Sequence, residues 1–245
     1  MVGVLVNTVA VLVGSLIGLI FNIGIPRKIT DAAMLAIGLC TLYIGISGSL
    51  EGNNTIVVII AMVLGSILGA WIDIDKRLNH LAEWVEKKAS FGAENKVHSV
   101  LTTTNEKKST IAEGFVTSSL LFCVGAMTIV GSLNAGLSGD NEMLFTKSVL
   151  DAISSIMLSA SLGVGVLFSS LFVLLFQGSL VLFAGLLQPI LNEGAIGDLT
   201  CVGSLLILGL GLNLVGATKL KIANYLPALL FSPGLTYLFY CITIG

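Results

Sequence analysis

The chain has 245 residues, of which 55% are hydrophobic and only 11% are charged. A soluble domain carries about a quarter charged residues, so this composition excludes an ordinary water-soluble fold and predicts a membrane protein. The formal net charge of -2 gives no indication of a nucleic-acid partner.

Eight apolar runs predict an all-α membrane protein with about eight transmembrane helices, and the whole chain, 1–245, forms a single integral membrane domain. About twenty apolar residues are needed for each helical crossing of a bilayer. The predicted spans are 2–21, 32–50, 55–72, 111–137, 144–162, 166–187, 199–217 and 222–244.

The run 144–191 is longer than one crossing, and Gly163 and Gly165 divide it into spans five and six. Basic residues follow spans one, three and seven, and basic loops stay on the cytoplasmic side. Eight spans place all three basic loops on that side, whereas seven spans would place the last one opposite. We therefore expect a multi-pass protein of the bacterial inner membrane with both termini facing outward.

The long hydrophilic segment 73–109 separates spans three and four. Ile74, Leu78, Leu81 and Val85 recur at helical spacing in its first part, which predicts an amphipathic helix with one apolar face. Such a helix lies in the membrane interface or packs, solvated, on the protein. We expect this helix and the loop after it to be cytoplasmic.

A short motif occurs three times and indicates an internal repeat. The copies read CTLYIGISGSL from Cys40, CVGAMTIVGSLN from Cys123 and CVGSLLILGLGLN from Cys201. The first half of the chain then contains two copies of a two-helix unit. The eight-span topology runs the third copy in the opposite direction, and inverted repeats are a recurring plan of secondary transporters. A shared small-residue composition is the alternative explanation.

Two G-x-x-x-G motifs provide close-packing surfaces: Gly14 with Gly18 in span one, and Gly65 with Gly69 in span three. Small residues at this spacing let helices approach closely in lipid. We expect a homo-oligomer, most simply a dimer, that uses these surfaces. The alternative is that spans one and three pack on each other within one chain.

No enzyme, metal or cofactor site is indicated, because the sequence lacks a nucleophile elbow, a phosphate-binding loop and a cluster of metal ligands. Asp151 is the carboxylate that falls well inside a predicted span. A carboxylate at that depth is costly unless it has a partner or lines a cavity, which makes it a functional candidate. An Asp at the level of the interface is the alternative reading.

A solute site is predicted near the bilayer midplane from Asn7, Asn213 and Asn224, with Asp151 adding a negative charge. Pro227 and Pro233 each remove a helical hydrogen bond in span eight and free a carbonyl. Amides and free carbonyls suit a small polar molecule or a cation, and no fixed positive charge is expected in the spans. The alternative is that these amides only satisfy the backbone of a twice-broken helix.

The opening VGVLVNTVAVLVGSLIGL and the closing LNLVGATKLKIANYLPALLFSP resemble the YqgA/YdfK-like family of bacterial inner-membrane proteins over essentially the whole chain. Asn7, Asn213, Asn224 and Pro227 are the positions that match the family pattern. The resemblance implies a polytopic membrane protein of the transporter type, with no substrate to carry over.

The sequence therefore favours a secondary transporter or channel-like permeation protein for a small polar solute or ion. The alternative is a membrane scaffold or sensor that acts through the cytoplasmic segment 73–109. The two differ in whether the spans enclose a polar site.

Overall fold

The structure is a computed structural model that describes residues 1–22, 27–78, 80, 111–189 and 191–244. These residues form helices and connecting turns, with no β-strand among them. The helices are α1 (Val2–Asn22), α2 (Arg27–Ser49), α3 (Thr55–Ile72), α4 (Ile111–Cys123), α5 (Ala126–Leu137), α6 (Glu142–Leu162), α7 (Gly165–Leu182), α8 (Ala184–Leu187), α9 (Glu193–Leu214), a 3-10 turn (Ile222–Tyr225) and α10 (Ala228–Ile244).

The predicted membrane character is confirmed. Five helices in the described part of the chain are long and apolar enough to cross a bilayer: α1, α3, α6, α7 and α9. The pair α4 and α5 makes a sixth if it counts as one bent span. Within α2 the apolar part, Leu35–Ser49, is shorter than a full crossing. The segment 73–109 lies mostly outside the described residues, but its first residues, 74–78, are helical.

The fourth predicted span is broken rather than continuous. α4 ends at Cys123, α5 begins at Ala126, and the two axes differ by 59°. Helix breaks free backbone groups that need new partners inside a membrane. Here the hydroxyl of Thr128 donates to the carbonyl of Phe122 at 3.1 Å, which satisfies one of them.

The long apolar run does reverse at the predicted glycines. α6 ends at Leu162, and Gly163 adopts a φ of +75°, a conformation that glycine reaches without strain. α7 then starts at Gly165 and runs back along α6. Asn7 contacts both Asp151 of α6 and Gln177 of α7, so these two residues lie at the same level of an antiparallel hairpin.

Glycine contacts define the direction in which α1 and α6 run. Gly3 faces Leu144, Gly14 faces Ala152, and Gly18 faces Ile156 and Ala160. Residue numbers rise together on both helices, so α1 and α6 are parallel. The contact includes a hydrogen bond from the buried Ser159 hydroxyl to the Ser15 carbonyl at 2.8 Å.

The second major helix pair, α2 with α9, is antiparallel. Gly38 faces Leu214, Gly45 faces Leu208, and Gly48 faces Ser204. Residue numbers rise on α2 as they fall on α9. Because glycine has no side chain, each of these positions lets the two helix backbones come close together.

The last helical region packs antiparallel to α3, where Gly65 faces Ala228 and Gly69 faces Asn224. It is broken once rather than twice. The 3-10 turn ends at Tyr225 and α10 begins after Pro227, whereas Pro233 lies inside α10.

The G-x-x-x-G motifs are therefore occupied within the chain, by α6 and by the region around Ala228, and spans one and three do not pack on each other through them. Homo-oligomerisation stays a prediction, but a dimer would have to use other surfaces.

Candidate functional site: a buried polar cluster

An ion pair lies inside α6. Lys147 and Asp151 are four residues apart, a spacing that brings two side chains together on one face of a helix. Lys147 Nζ is 2.8 Å from Asp151 Oδ1 and 2.7 Å from Oδ2. Their side chains are only 7% and 8% exposed. The pair is thus removed from solvent, in a helix apolar enough to span a membrane.

Two amides from neighbouring helices complete this cluster. Asn7 of α1 and Gln177 of α7 are both fully buried. The Asn7 Nδ2 group donates to Asp151 Oδ2 at 3.0 Å and to Gln177 Oε1 at 3.2 Å. We call Asn7, Lys147, Asp151 and Gln177 the Asp151 cluster.

The Asp151 cluster retains unused hydrogen-bonding capacity. Asn7 Oδ1, an acceptor, and Gln177 Nε2, a donor, are buried and have no hydrogen-bond partner. Buried polar groups without partners are rare because each costs free energy. An ion pair flanked by one spare acceptor and one spare donor is chemically suited to bind a polar molecule.

The ion pair also makes the cluster electrically neutral. An unpaired charge in this environment would be strongly unfavourable, whereas a hydrogen-bonded pair of opposite charges offsets much of its desolvation cost. An apolar layer that includes Val11, Cys123 and Val173 packs between the helices that carry the cluster.

An apolar cavity of about 210 Å³ borders Cys123 and lies among α4, α5, α7, α9, the helical residues 74–78 and the region around Leu226. Its wall includes Phe115, Phe172 and Phe176; the ring of Phe172 contacts the rings of both other residues. It presents almost no polar surface, so the polar site predicted between the spans is not this cavity.

A second buried carboxylate, Asp198 of α9, joins the turn between α2 and α3 to the last helix. Its Oδ1 accepts the backbone N–H groups of Asn53 at 2.9 Å and Asn54 at 2.8 Å. Its Oδ2 accepts the hydroxyl of Thr236 at 2.8 Å. The side chain of Asn54 in turn caps the start of α3 by accepting from Ile56 N–H at 3.1 Å. We call Asp198 and the three residues that donate to it, Asn53, Asn54 and Thr236, the Asp198 junction.

Asn213 does not join the Asp151 cluster. Its Oδ1 accepts the Thr218 hydroxyl at 2.7 Å and the Leu220 N–H at 2.8 Å, and its Nδ2 donates to the Leu220 carbonyl at 2.7 Å. These three bonds fold the turn that follows α9. The amide is therefore engaged locally in this turn, and not with the backbone of the last predicted span.

Asn224 and Pro227 are likewise placed elsewhere. Asn224 Oδ1 accepts the N–H of Asp75 at 2.8 Å, and a salt bridge of 4.0 Å joins Lys221 to Asp73 beside it. Pro227 lies between the 3-10 turn and α10, and its carbonyl accepts from Leu230 at 3.0 Å. Of the predicted site residues, only Asn7 and Asp151 come together.

The sequence interpretation missed Lys147 and the role of Asp198. It identified Gln177 as an amide within a span that could line a solute path, but did not include it in the predicted site. The expectation of no fixed positive charge in the spans was wrong, because Lys147 lies inside the predicted fifth span. The signal was available in the i,i+4 spacing of Lys147 and Asp151. Across the described residues no three of His, Cys, Asp and Glu are grouped as a metal site would require.

Comparison with known proteins gives consistent matches over the whole chain. The family described as "Protein of unknown function (DUF554)" matches residues 2–237. The chain is 35% identical over 237 residues to the "Uncharacterized membrane protein YdfK" of Bacillus subtilis, covering 95% of this chain and 94% of that protein. It is 28% identical over 231 residues to the "Uncharacterized protein YqgA" of Escherichia coli, covering 94% of each. No solved structure matches. These matches confirm the resemblance read from the two ends of the sequence.

Proposed function

We propose that this chain, which belongs to the DUF554 family of proteins of unknown function, is a small secondary transporter or channel-like permeation protein for a small polar solute or ion. The observation that supports the proposal is the Asp151 cluster. It combines a buried ion pair with two buried amides from different helices, at a depth where such residues are costly and mark solute or ion pathways.

We also propose that the chain crosses the membrane eight times. Eight alternating spans require α1 parallel to α6 and α2 antiparallel to α9. They also require α3 antiparallel to α10 and the broken span parallel to α7. Contacts between glycines and the facing helices agree with the first three directions, and those of Gly114 with Gly165 and of Gly136 with Ala184 agree with the fourth. A seven-span count would make α2 and α9 parallel, which these contacts oppose.

The inverted third copy of the repeat gains support from the same geometry. The copy that starts at Cys40 lies in α2 and the copy that starts at Cys201 lies in α9, and these helices pack against each other in opposite directions. Opposed copies in contact are what a duplication of inverted topology would produce.

The topology is tested by the side on which the segment 73–109 is labelled. In a variant without the native cysteines, Ser90→Cys should resist a membrane-impermeant maleimide in sealed right-side-out vesicles of the inner membrane. It should react after permeabilisation. Rapid labelling of the sealed vesicles would overturn the eight-span orientation.

The function is tested by permeation into proteoliposomes. Vesicles containing the protein are placed in iso-osmotic solutions of polyols, amino acids or salts, and light scattering reports swelling. At least one solute should enter faster than into protein-free vesicles. The double variant Lys147→Met/Asp151→Leu should lose this entry, because it replaces both charges with apolar side chains.

Ser159→Ala is the matched control for this experiment, since it removes a buried hydrogen bond between α1 and α6 without touching the Asp151 cluster. It should retain entry. Equal entry with and without protein across the whole panel would count against transport. It would favour the alternative, a scaffold that acts through the segment 73–109. Asp73 and Asp75, at the start of this segment, contact Lys221 and Asn224.

A further inference from the structure

We propose that the Asp151 cluster binds a small zwitterion, a molecule that carries one ammonium group with N–H donors and one carboxylate a few atoms apart. This inference rests on the proposed function and names the class of solute for the same site. It follows from the charges of the cluster and from the two polar atoms that the cluster leaves unpaired.

Charge balance selects the class first. Lys147 and Asp151 together are neutral, and both are buried. The charged groups on the packed helices are few: α1 and α7 carry none, α2 carries none between Ala32 and Ser49, α5 carries none, and Glu113 lies in the first turn of α4. A cation or an anion would therefore bury a net charge here, which is costly. A zwitterion leaves the site neutral.

The ion pair supplies a partner for each charge of such a solute. An ammonium group can replace Lys147 Nζ on the carboxylate of Asp151, and a carboxylate can replace Asp151 on Lys147. Charge-assisted hydrogen bonds of both kinds are among the strongest in proteins. The two residues exchange one neutral partnership for another, so no charge is left unpaired.

The unpaired amide atoms have the right polarity for the same molecule. Asn7 Oδ1 is a spare acceptor on a side chain that is hydrogen-bonded to Asp151, and it suits an ammonium N–H beside the carboxylate. Gln177 Nε2 is a spare donor and suits a carboxylate oxygen. A neutral polyol would use these two atoms but would leave the ion pair without a role.

The test measures thermal unfolding of the full chain in mild detergent with glycine, β-alanine and γ-aminobutyrate as probes. A ligand that binds only the folded protein raises the unfolding midpoint. At least one of the three probes should raise it by roughly 2–4 °C at saturating concentration. In the comparisons below, the shift by glycine stands for the shift by whichever of the three probes gives the largest response. Acetate and methylammonium, which each carry one of the two charges, should not, and neither should trimethylglycine, which has no N–H donor.

Variants connect the response to the cluster. Gln177→Met and Asn7→Leu each replace the amide with an apolar side chain of similar size and should lose the shift. Ser159→Ala should keep it, even though this control is itself less stable. If Asn7→Leu does not fold, Gln177→Met and Lys147→Arg, which preserves the charge, carry the comparison: the first should lose the shift and the second retain a reduced one.

The outcomes separate this inference from the proposed function. If no zwitterion shifts the midpoint, or if trimethylglycine or acetate shifts it as much as glycine, the zwitterion site is overturned. If another solute still enters proteoliposomes in a manner that depends on Asp151, the transport proposal survives that result. Retention of the glycine shift in Gln177→Met would also overturn the site, because the response would then arise elsewhere.

Discussion

Two buried carboxylates in the described part of the chain, Asp151 and Asp198, have opposite environments. Asp198 accepts hydrogen bonds from two backbone N–H groups and one hydroxyl, all from elements that it holds together. Asp151 has a lysine and an amide as partners, and the amides beside it leave an acceptor and a donor unpaired. Both carboxylate oxygens of Asp198 have hydrogen-bond partners, whereas the Asp151 cluster contains two polar atoms without a partner.

The difference indicates what each carboxylate does. Main-chain donors are fixed by the fold, so the carboxylate of Asp198 stabilises one arrangement of the turn between α2 and α3. The partners of Asp151 are side chains that can change rotamer and accept other partners. This difference supports the proposal that a solute binds at Asp151, whereas Asp198 holds the backbone of the turn in place.

The largest expected effect comes from breaking the ion pair on one side only. Lys147→Met leaves the Asp151 carboxylate buried without its cation, and we expect a loss of about 3–5 kcal/mol in the free energy of unfolding. Lys147→Met combined with Asp151→Leu removes both charges and should be more stable than the single variant. Unfolding in mild detergent measures both. A double variant as unstable as the single one would contradict the pairing.

The second largest effect is expected from substitutions of Asp198, the other buried carboxylate. Asp198→Ala leaves the N–H groups of Asn53 and Asn54 without their acceptor, whereas the Thr236 hydroxyl can still donate to the Ser232 carbonyl, and the change should cost roughly 2–4 kcal/mol. Asp198→Asn is the matched control, because it keeps an acceptor oxygen for the two backbone N–H groups and should cost only about 1–2 kcal/mol. Neither change should alter the response to glycine. A loss of that response in Asp198→Asn would mean that the two carboxylates are not independent.

The sequence was sufficient for the membrane class and for most helix positions, because apolar length is what decides them. The helix Thr55–Ile72 coincides with the predicted third span, and the reversal near Gly163 falls where a glycine interrupts the apolar run. The break between Cys123 and Ala126 was missed. No proline or charge marks that break, and glycines occur throughout these helices without breaking them.

The site was predicted only in part, since contacts between distant residues are not visible in one sequence. Asn7 and Asp151 are 144 residues apart and meet only because α1 packs parallel to α6. Asn213 and Asn224 share their residue type and their predicted depth with Asn7, yet Asn213 bonds within its own turn and Asn224 accepts the N–H of Asp75, 149 residues away. The residue type identified Asn7, Asn213 and Asn224 as candidates. Only the packing of the helices showed that Asn7 lies at the ion pair and that the other two do not.

A third prediction concerns the packing that brings Asn7 to Asp151. A Cβ atom added at Gly18 would collide with the backbone carbonyl of Ile156, so Gly18→Ala must push α1 away from α6. We expect a cost of about 1–3 kcal/mol together with a weaker response to glycine. Gly178→Ala is the matched control: this helical glycine has nothing within 4 Å of an added Cβ, and the change should be neutral or slightly stabilising.

The oligomeric state of Gly18→Ala distinguishes packing of Gly18 inside one chain from the dimer contact that the G-x-x-x-G motif suggested. With the glycines packed inside one chain, Gly18→Ala should lower stability without changing the mass of the protein in detergent. A change of oligomer mass at unchanged stability would instead place Gly18 at a contact between chains.

The smallest expected effect comes from Asn213, which resembles the Asp198 junction on a smaller scale because each of its polar atoms already bonds the turn after α9. Asn213→Ala removes three hydrogen bonds at a partly exposed site, where water can replace some of them, and should cost about 1 kcal/mol. The shift of the unfolding midpoint by glycine should persist at full size. Asn7→Leu gives the contrast, since it should abolish that shift. If Asn213→Ala abolished the shift as well, Asn7 and Asn213 would act together in one site, as the sequence first suggested. The distinction between a structural role for Asn213 and a solute-binding role for Asn7 would then be wrong.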